Sequence, residues 1–486
     1  MIDFSKSMFT KKYRKIFLLV LILFFAPGRA FSTENYPALT LNENDRILIL
    51  APHPDDEVVG TGGVIQEAIR LKRPLKVVYL TNGDNNELAF IVYDKRLVLS
   101  PKEFIRLGEV RKKEAVAAMN FLGVPKDNLI FLGYPDFGTM NILTGYWDPA
   151  KPFKSLLTRV AKVPYQDCLS PGAPYVGQSI LNDLESILAD FKPTKIFVTN
   201  FVDTNGDHRS MGLFLQVALW DLEGKIPSVK ICPYLVHAAG WPAPRGFHPD
   251  LKLLPPGNLA NTDVQWEFLN LFPEQIQRKK KAIGFYKSQI IYNPPYLYTF
   301  ARQNEIFGVY PPIFLQDQPG EPIDWIDLEK RQENKSHLVD EKSPTLKIIQ
   351  SLAYAQKEGF LDIKMNFRLL ADKWLGLNIY LLGYRKDVPF ADMPKFRIHI
   401  FGNKIRAIYA NRKRVVIENV SIKKTPEGVI LQFPLSVLKD PEYILSCTKT
   451  HINKVTIDLT AWRILIVSHG DVFKPNLDDG PVKGTL

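Results

Sequence analysis

The chain has 486 residues, too many for one ordinary hydrophobic core, so two domains with connecting segments are expected. Hydrophobic residues at 46% and charged residues at 23% lie near globular averages, which excludes a disordered chain and a polytopic membrane protein. Of the formal charge of +11, +5 lies in residues 1–30, where Lys6, Lys11, Lys12, Arg14, Lys15 and Arg29 face Asp3; the rest is too scattered for a nucleic-acid-binding stripe, and the run from Arg278 to Lys281 reads as a solvated helix face.

In chain order, the basic leader is followed by the apolar run 16–26 and then by Gly28-Arg29-Ala30, the layout of a secretory signal. Such a run rises about 16 Å as a helix, short of a bilayer core of about 30 Å. Cleavage near Ala30 and export to the periplasm or medium are therefore expected, and an uncleaved leader would be the membrane tether. From Asp45 short apolar runs alternate with amphipathic ones, the pattern of strand and crossover helix that builds a Rossmann-like parallel sheet with flanking helices. The predicted strands are 46–51, 75–80, 128–133 and 195–200. The predicted helices are 58–71, 101–122 with Gly123 as its stop, 179–191 closed by Pro193, and 274–288. Residues 139–176 and 240–256 read as long loops of the kind that shape a pocket on an α/β scaffold. A polar stretch then leads to alternating runs at 378–384, 395–401, 404–410, 415–422 and 429–435, which predict an antiparallel β domain, a sandwich. The expected organisation is a leader at 1–30, an α/β domain at 40–315, a linker at 316–344 and a β-rich accessory domain at 345–486. Trp374, Tyr380, Tyr384 and Trp462 are candidates for a sugar platform there, with core packing as the commoner fate of strand aromatics. Three well-separated cysteines, Cys168, Cys232 and Cys447, exclude a disulfide scaffold and leave one bridge open.

The chemistry concentrates after the first strand, where residues 51–63 read APHPDDEVVGTGG. His53, Asp55, Asp56 and Glu57 then stand at the carboxyl end of a parallel strand, where open α/β sheets bind ligands. An imidazole and carboxylates this close are costly to bury unless they bind something, and a borderline cation accepts both nitrogen and oxygen ligands, zinc best. Either aspartate alone would read as a helix cap; His53 three residues before Asp56 argues for metal. A phosphate loop on Gly60, Gly62 and Gly63 is disfavoured, because the acidic groups would repel the phosphate and no loop lysine follows. A third ligand, His208, is offered at the end of the fourth strand in residues 202–212, VDTNGDHRSMG, where Asp203, Asn205 and Asp207 crowd the loop.

These motifs resemble the LmbE-like, or PIG-L, family of zinc-dependent N-acetylglucosamine deacetylases. The resemblance runs over about 45–310 and takes in TNGD at 81–84, Arg111 with Glu114, Asp136 in LGYPDFG, and YKSQ at 286–289. It implies a zinc site formed by His53, Asp56 and His208, with Asp55 as general base and Arg111 and Asp136 holding sugar hydroxyls. For Arg111 the alternative is a helix ion pair with Glu114. Glu57 and Asp207 are expected to support the ligands from behind. Many members of the family carry a further histidine where this chain has Asn205, which can donate a hydrogen bond but cannot transfer a proton. His237, in YLVHAAGWP at a predicted strand end, is the candidate to replace it; its alternative is a strand histidine satisfied by the backbone. The function implied is hydrolysis of the acetamide of a sugar or glycoconjugate. Cleavage of another amide or conjugate, and a non-catalytic glycan-binding surface protein, are the alternatives.

Overall fold

The computed structural model describes residues 36–85, 100–257, 259, 262–291, 294–315, 326–327, 348–367, 375–452 and 455–468. The leader read at 1–30, Trp374 and most of the linker read at 316–344 lie outside them. Among the described residues no helix is long and apolar enough to cross a membrane.

Apolar runs build the central sheet. Strands β1 (Ile47–Ala51), β2 (Leu75–Thr81), β3 (Leu129–Tyr134), β4 (Lys195–Thr199) and β5 (Lys230–Tyr234) are parallel, in the order β3-β2-β1-β4-β5. Every residue of β1 is buried, which is why it reads as an unbroken apolar run rather than an alternating one. Strands β6 (Gln265–Asn270) and β7 (Asn304–Val309) extend the sheet beyond β5 in the order β5-β7-β6, antiparallel, and the sequence pattern marks neither. Because β2 and β3 lie on one side of β1 and β4 and β5 on the other, the chains leaving β1 and β4 diverge. That reversal opens a crevice at the carboxyl ends of both strands, the place where such sheets bind ligands.

The helices are α1 (Asp56–Arg70), α2 (Pro101–Leu122), α3 (Thr139–Gly145), α4 (Gly177–Phe191), α5 (Gly206–Asp221) and α6 (Pro273–Ile283). For α2 the local signals are complete: Pro101 opens it, Ser100 and Glu103 form a capping box, and Gly123 closes it at φ 96°. The loop read at 139–176 contains α3, too short to display a period. The helix read at 274–288 stops at Ile283, and its last residues join a separate turn at Lys287–Ile290. Gly60 permits close packing rather than phosphate binding: a Cβ there would lie 2.2 Å from Cδ2 of Tyr234, whose ring crosses the start of α1.

The C-terminal strands form two sheets. The first holds β9 (Ile326–Asp327), β10 (Ile349–Lys357), β11 (Phe360–Phe367), β16 (Ser421–Lys424) and β17 (Gly428–Pro434). The second holds β8 (Ile313–Phe314), β12 (Leu375–Tyr384), β13 (Lys395–Phe401), β14 (Lys404–Ala410), β15 (Lys413–Val415), β18 (Tyr443–Ile452), β19 (Val455–Leu459) and β20 (Arg463–Ile466). Leu361, Ile363, Leu431 and Phe433 from the first share a core with Ile379, Leu381, Ile398 and Ile444 from the second, so the two sheets make a sandwich. All the pairings are antiparallel except β20 with β8. The run read at 415–422 is split between the sheets, Val415 ending β15 and Ser421 opening β16. Tyr384 and Trp462 are buried, so they are packing residues and not a sugar platform. The described residues from Ala38 onward form one compact unit, and α5 meets the sandwich directly: Trp220 stacks on Tyr443 at 4.5 Å, and the Tyr384 hydroxyl donates to Asp221 at 2.9 Å. Cys168, Cys232 and Cys447 are free and buried, so the bridge left open by the sequence is not formed.

Candidate metal centre

The turn after β1 is set by its backbone. The amide and hydroxyl of Thr81 donate to Pro52 O at 3.0 and 3.1 Å, fixing the exit of the strand. Asp55 then takes φ 133°, a conformation that costs a side-chain-bearing residue about 1–3 kcal/mol and persists only where its surroundings impose it. Three contacts impose it here. The Asp55 amide donates to Glu57 Oε2 at 2.9 Å, and Arg111 Nη2 donates to Pro54 O at 2.9 Å and lies 3.4 Å from Asp55 Oδ2. Asp55 occupies the cap position of α1 but makes no side-chain cap bond, so the simple capping reading does not hold.

Asp56 opens α1 and His208 lies in the first turn of α5, so the crevice between β1 and β4 brings His53, Asp56 and His208 together. His53 Nδ1, Asp56 Oδ2 and His208 Nε2 form a triangle with edges of 3.2, 3.1 and 3.2 Å. Tetrahedral ligands at zinc-like bond lengths stand about 3.3 Å apart, so the triangle has the size of one face of such a site. All three residues are buried.

Each imidazole is backed by carboxylates on its far nitrogen. His53 Nε2 lies 3.1 Å from Asp136 Oδ1 and 3.3 Å from Asp207 Oδ2; His208 Nδ1 lies 3.2 Å from Asp203 Oδ2. A proton kept on the far nitrogen would leave the near nitrogen of each ring with its lone pair toward the centre of the triangle. Asp207 also accepts from the amides of Phe137 and Thr139, at 2.5 and 3.1 Å, which ties the β3–α3 loop to the site. Asp136 Oδ2 accepts from the Asn85 amide at 2.9 Å, so both of its oxygens face neighbours within the protein.

Electrostatics fit a cation. Burial alone would lower the pKa of His53, but Asp136, Asp207 and Asp56 outweigh it and raise it well above its usual value. Burial likewise opposes the charging of His208, yet Asp203 and Asp56 carry its pKa up to about 9. Asp56 is held well below the carboxylate range by His208 and His53, against the effect of burial. The acidic cluster thus favours positive charge at both imidazoles, and a divalent cation held by the facing nitrogens, once these have given up their protons, would answer it in the same way. Burial pushes the Asp55 carboxyl up to about 7 despite the nearby Arg111 guanidinium.

Glu57 points away from the triangle. Its carboxyl accepts hydrogen bonds from the hydroxyls of Tyr79, at 2.9 Å, and Tyr286, and burial pushes it up to about 8. Arg111 forms no helix ion pair with Glu114: it reaches the Asp55 turn and Gly83 O, at 3.0 Å, while Glu114 accepts from the amide and hydroxyl of Ser288. His237 stands at the rim, its side chain 34% exposed, with Nδ1 3.3 Å from Asp203 Oδ1 and its ring 4.6 Å from that of His208, edge to face. Asn205 caps α5, its side-chain oxygen accepting from the Asp207 amide at 2.8 Å.

The residue the sequence undervalues is Asp203. It is fully buried and gathers the loop: Oδ1 accepts from the Asn205 amide at 2.9 Å, and Oδ2 accepts from the amides of Val236 and His237 at 3.1 and 2.9 Å. Those bonds draw residues 236–237 out of the strand pattern, so β5 ends at Tyr234. An aspartate five residues before a candidate ligand histidine, at the same strand end, is the available signal.

Residues 48–219 match the family model described as PIG-L, GlcNAc-PI de-N-acetylase. The chain is 22% identical over 289 residues to a glucosamine-6-phosphate deaminase-like protein of Bacteroides thetaiotaomicron, covering 50% of this chain and 36% of that one. It is 34% identical over 90 residues to a 1D-myo-inositol 2-acetamido-2-deoxy-alpha-D-glucopyranoside deacetylase of Mycobacterium sp., covering 18% of this chain and 28% of that one. The chain therefore spans about a third of the length of the curated relatives it matches. Among solved structures, the N,N'-diacetylchitobiose deacetylase of Pyrococcus horikoshii aligns at 19% identity and a TM-score of 0.34, covering 63% of this chain and 95% of that one.

Proposed function

We propose that this chain, whose residues 48–219 match the PIG-L family model, is an exported zinc-dependent hydrolase that converts the acetamide of an N-acetylglucosamine-type sugar into a free amine and acetate. The observation that carries the reading is the buried His53–Asp56–His208 triangle with Asp55 beside it, close but outside the donor set. Zinc, when bound, supplies Lewis acidity that makes a water more acidic and a carbonyl more electrophilic. Asp55 takes the water's proton, and its raised pKa suits a group that must accept a proton and later release it. Arg111 orients Asp55 through its Nη2 contact and holds the strained turn in place. Asp136, Asp207 and Asp203 keep the two imidazoles in the tautomers that face the metal. His237, at the open rim, donates to the oxyanion or protonates the leaving amine, and the proton transfer is a part that Asn205 cannot take. A non-catalytic binder would have no use for a base held at φ 133°, and that strain favours the enzyme.

In this reading residues 40–315 are the catalytic domain, 316–344 the linker and 345–486 the accessory domain, with the leader directing export. The test is acetate release from a panel of acetamido sugars, run with chelator, without it, and after zinc is restored. The reading requires activity that the chelator abolishes and zinc returns. Asp55→Asn should keep its metal and lose roughly two to four orders of magnitude in turnover. Metal-independent acetate release, or an active Asp55→Asn, would overturn it.

A further inference from the structure

Arg209 follows His208 on α5 and is buried, 2% exposed. Its guanidinium is directed at main-chain carbonyls: Nε donates to Asp203 O, Nη2 to Val202 O at 3.2 Å, and Nη1 to Thr460 O at 2.8 Å. The first two carbonyls belong to the loop that carries Asp203. The third belongs to the β sandwich, 251 residues further along the chain.

Thr460 is itself locked in place. Its amide donates to Thr448 O at 3.0 Å and its hydroxyl accepts from the Thr448 amide at 2.9 Å, so strand β18 aims its carbonyl. Close by, the Trp462 amide donates to Phe201 O at 3.4 Å. The sandwich therefore grips the 201–203 turn from outside, while the Asp203 carboxylate reaches His208 and His237 from inside. A buried guanidinium bonded to three neutral carbonyls, with Cys447 and the Asp203 carboxylate nearby, is an expensive way to pack two domains, and apolar residues commonly serve stability as well. What an arginine adds is a planar fork that fixes several acceptors relative to one another.

We propose that the C-terminal sandwich is a working part of the metal centre, with Arg209 as the positioning residue: by joining Thr460 O to the carbonyls of Val202 and Asp203, it holds the Asp203 carboxylate where it orients His208 and His237. This inference rests on the metal reading above, and its test is arranged so that the two can fail separately. The full-length mature chain is prepared as wild type, Arg209→Lys, Arg209→Met and, as a control at the far end of α5, Tyr384→Phe, which removes the hydroxyl bond to Asp221.

Two quantities are measured. The first is the zinc dissociation constant, by competition with a chromophoric chelator. The second is hydrogen exchange, on metal-free protein, of the amides of Asn205, Val236 and His237, which donate to Asp203. Arg209→Lys keeps the charge but loses the fork, and should weaken zinc binding roughly 10–100-fold, the usual effect of losing support behind a ligand. It should also speed exchange at those three amides while β1 and β4 stay protected. Arg209→Met should do the same or more, and Tyr384→Phe should change neither quantity. Folded Arg209→Lys protein with wild-type zinc affinity or unchanged exchange at the three amides would overturn the proposal, leaving Arg209 as interdomain packing. If wild type takes up no zinc, the functional reading fails, and exchange on the metal-free chains still decides whether Arg209 holds the Asp203 loop. Should Arg209→Met not fold, Arg209→Lys alone carries the decision.

Discussion

Replacing Asp203 by asparagine tests whether the buried carboxylate behind His208 tunes the metal site or only ties a loop. The substitution keeps the shape but turns one oxygen into an amide NH2 group. Placed at the Oδ2 position, that group would meet the amides of Val236 and His237; placed at the Oδ1 position, it would meet one amide, that of Asn205, beside His237 Nδ1. Each buried donor left without an acceptor costs about 1–3 kcal/mol, so the second orientation is favoured, with a loss of stability of about that size. His208 Nδ1 would then face a neutral carbonyl oxygen instead of a carboxylate. The ring loses basicity but keeps an acceptor, and zinc affinity should fall toward the lower end of the roughly 10–100-fold range seen when such support is removed. Urea denaturation of the metal-free protein measures the first quantity, and chelator competition measures the second. Reduced stability with wild-type zinc affinity would refute the argument, because Asp203 would then serve the loop and not His208.

His53→Ala should abolish stoichiometric zinc, checked by elemental analysis; zinc retained by this variant would place the ligands elsewhere. His237→Ala should lower kcat with zinc content and KM little changed, the mark of a contact made mainly in the transition state, and steady-state kinetics with metal analysis checks it. Asn205→Ala should cost about 1 kcal/mol as a lost helix cap, with Asn205→Ser restoring most of it; a large fall in kcat for both variants would instead assign Asn205 to the oxyanion. Zinc binding near neutral pH should release close to two protons, because His53 and His208 are both raised above neutrality in the metal-free site and must lose a proton to ligate. Affinity should therefore rise with pH below the His208 pKa of about 9, and calorimetry in buffers of different ionisation heat checks the proton count.

The sequence by itself determined the parts of this protein whose causes are local. Ile47–Ala51 announces a covered parallel strand, Ser100-Pro101 and Gly123 bound α2, and the spacing of His53, Asp55 and Asp56 after a strand marks a candidate metal-binding turn. Such features depend on residues a few positions apart, so period, caps and spacing disclose them. What only the tertiary structure decided is which distant groups share the crevice. Arg111 could pair within its helix or cross to Asp55, and the fold chose Asp55 because Ser288 takes Glu114. Asp136 matches a position that the resemblance gives to sugar hydroxyls, and the fold also sets its Oδ1 3.1 Å from His53 Nε2, a contact that spacing does not disclose. Asp203 reads as one polar loop residue among several until β5 brings the amides of Val236 and His237 onto it. Buried polar groups must find partners wherever the chain brings them, and that pairing depends on strand order and domain packing rather than on spacing.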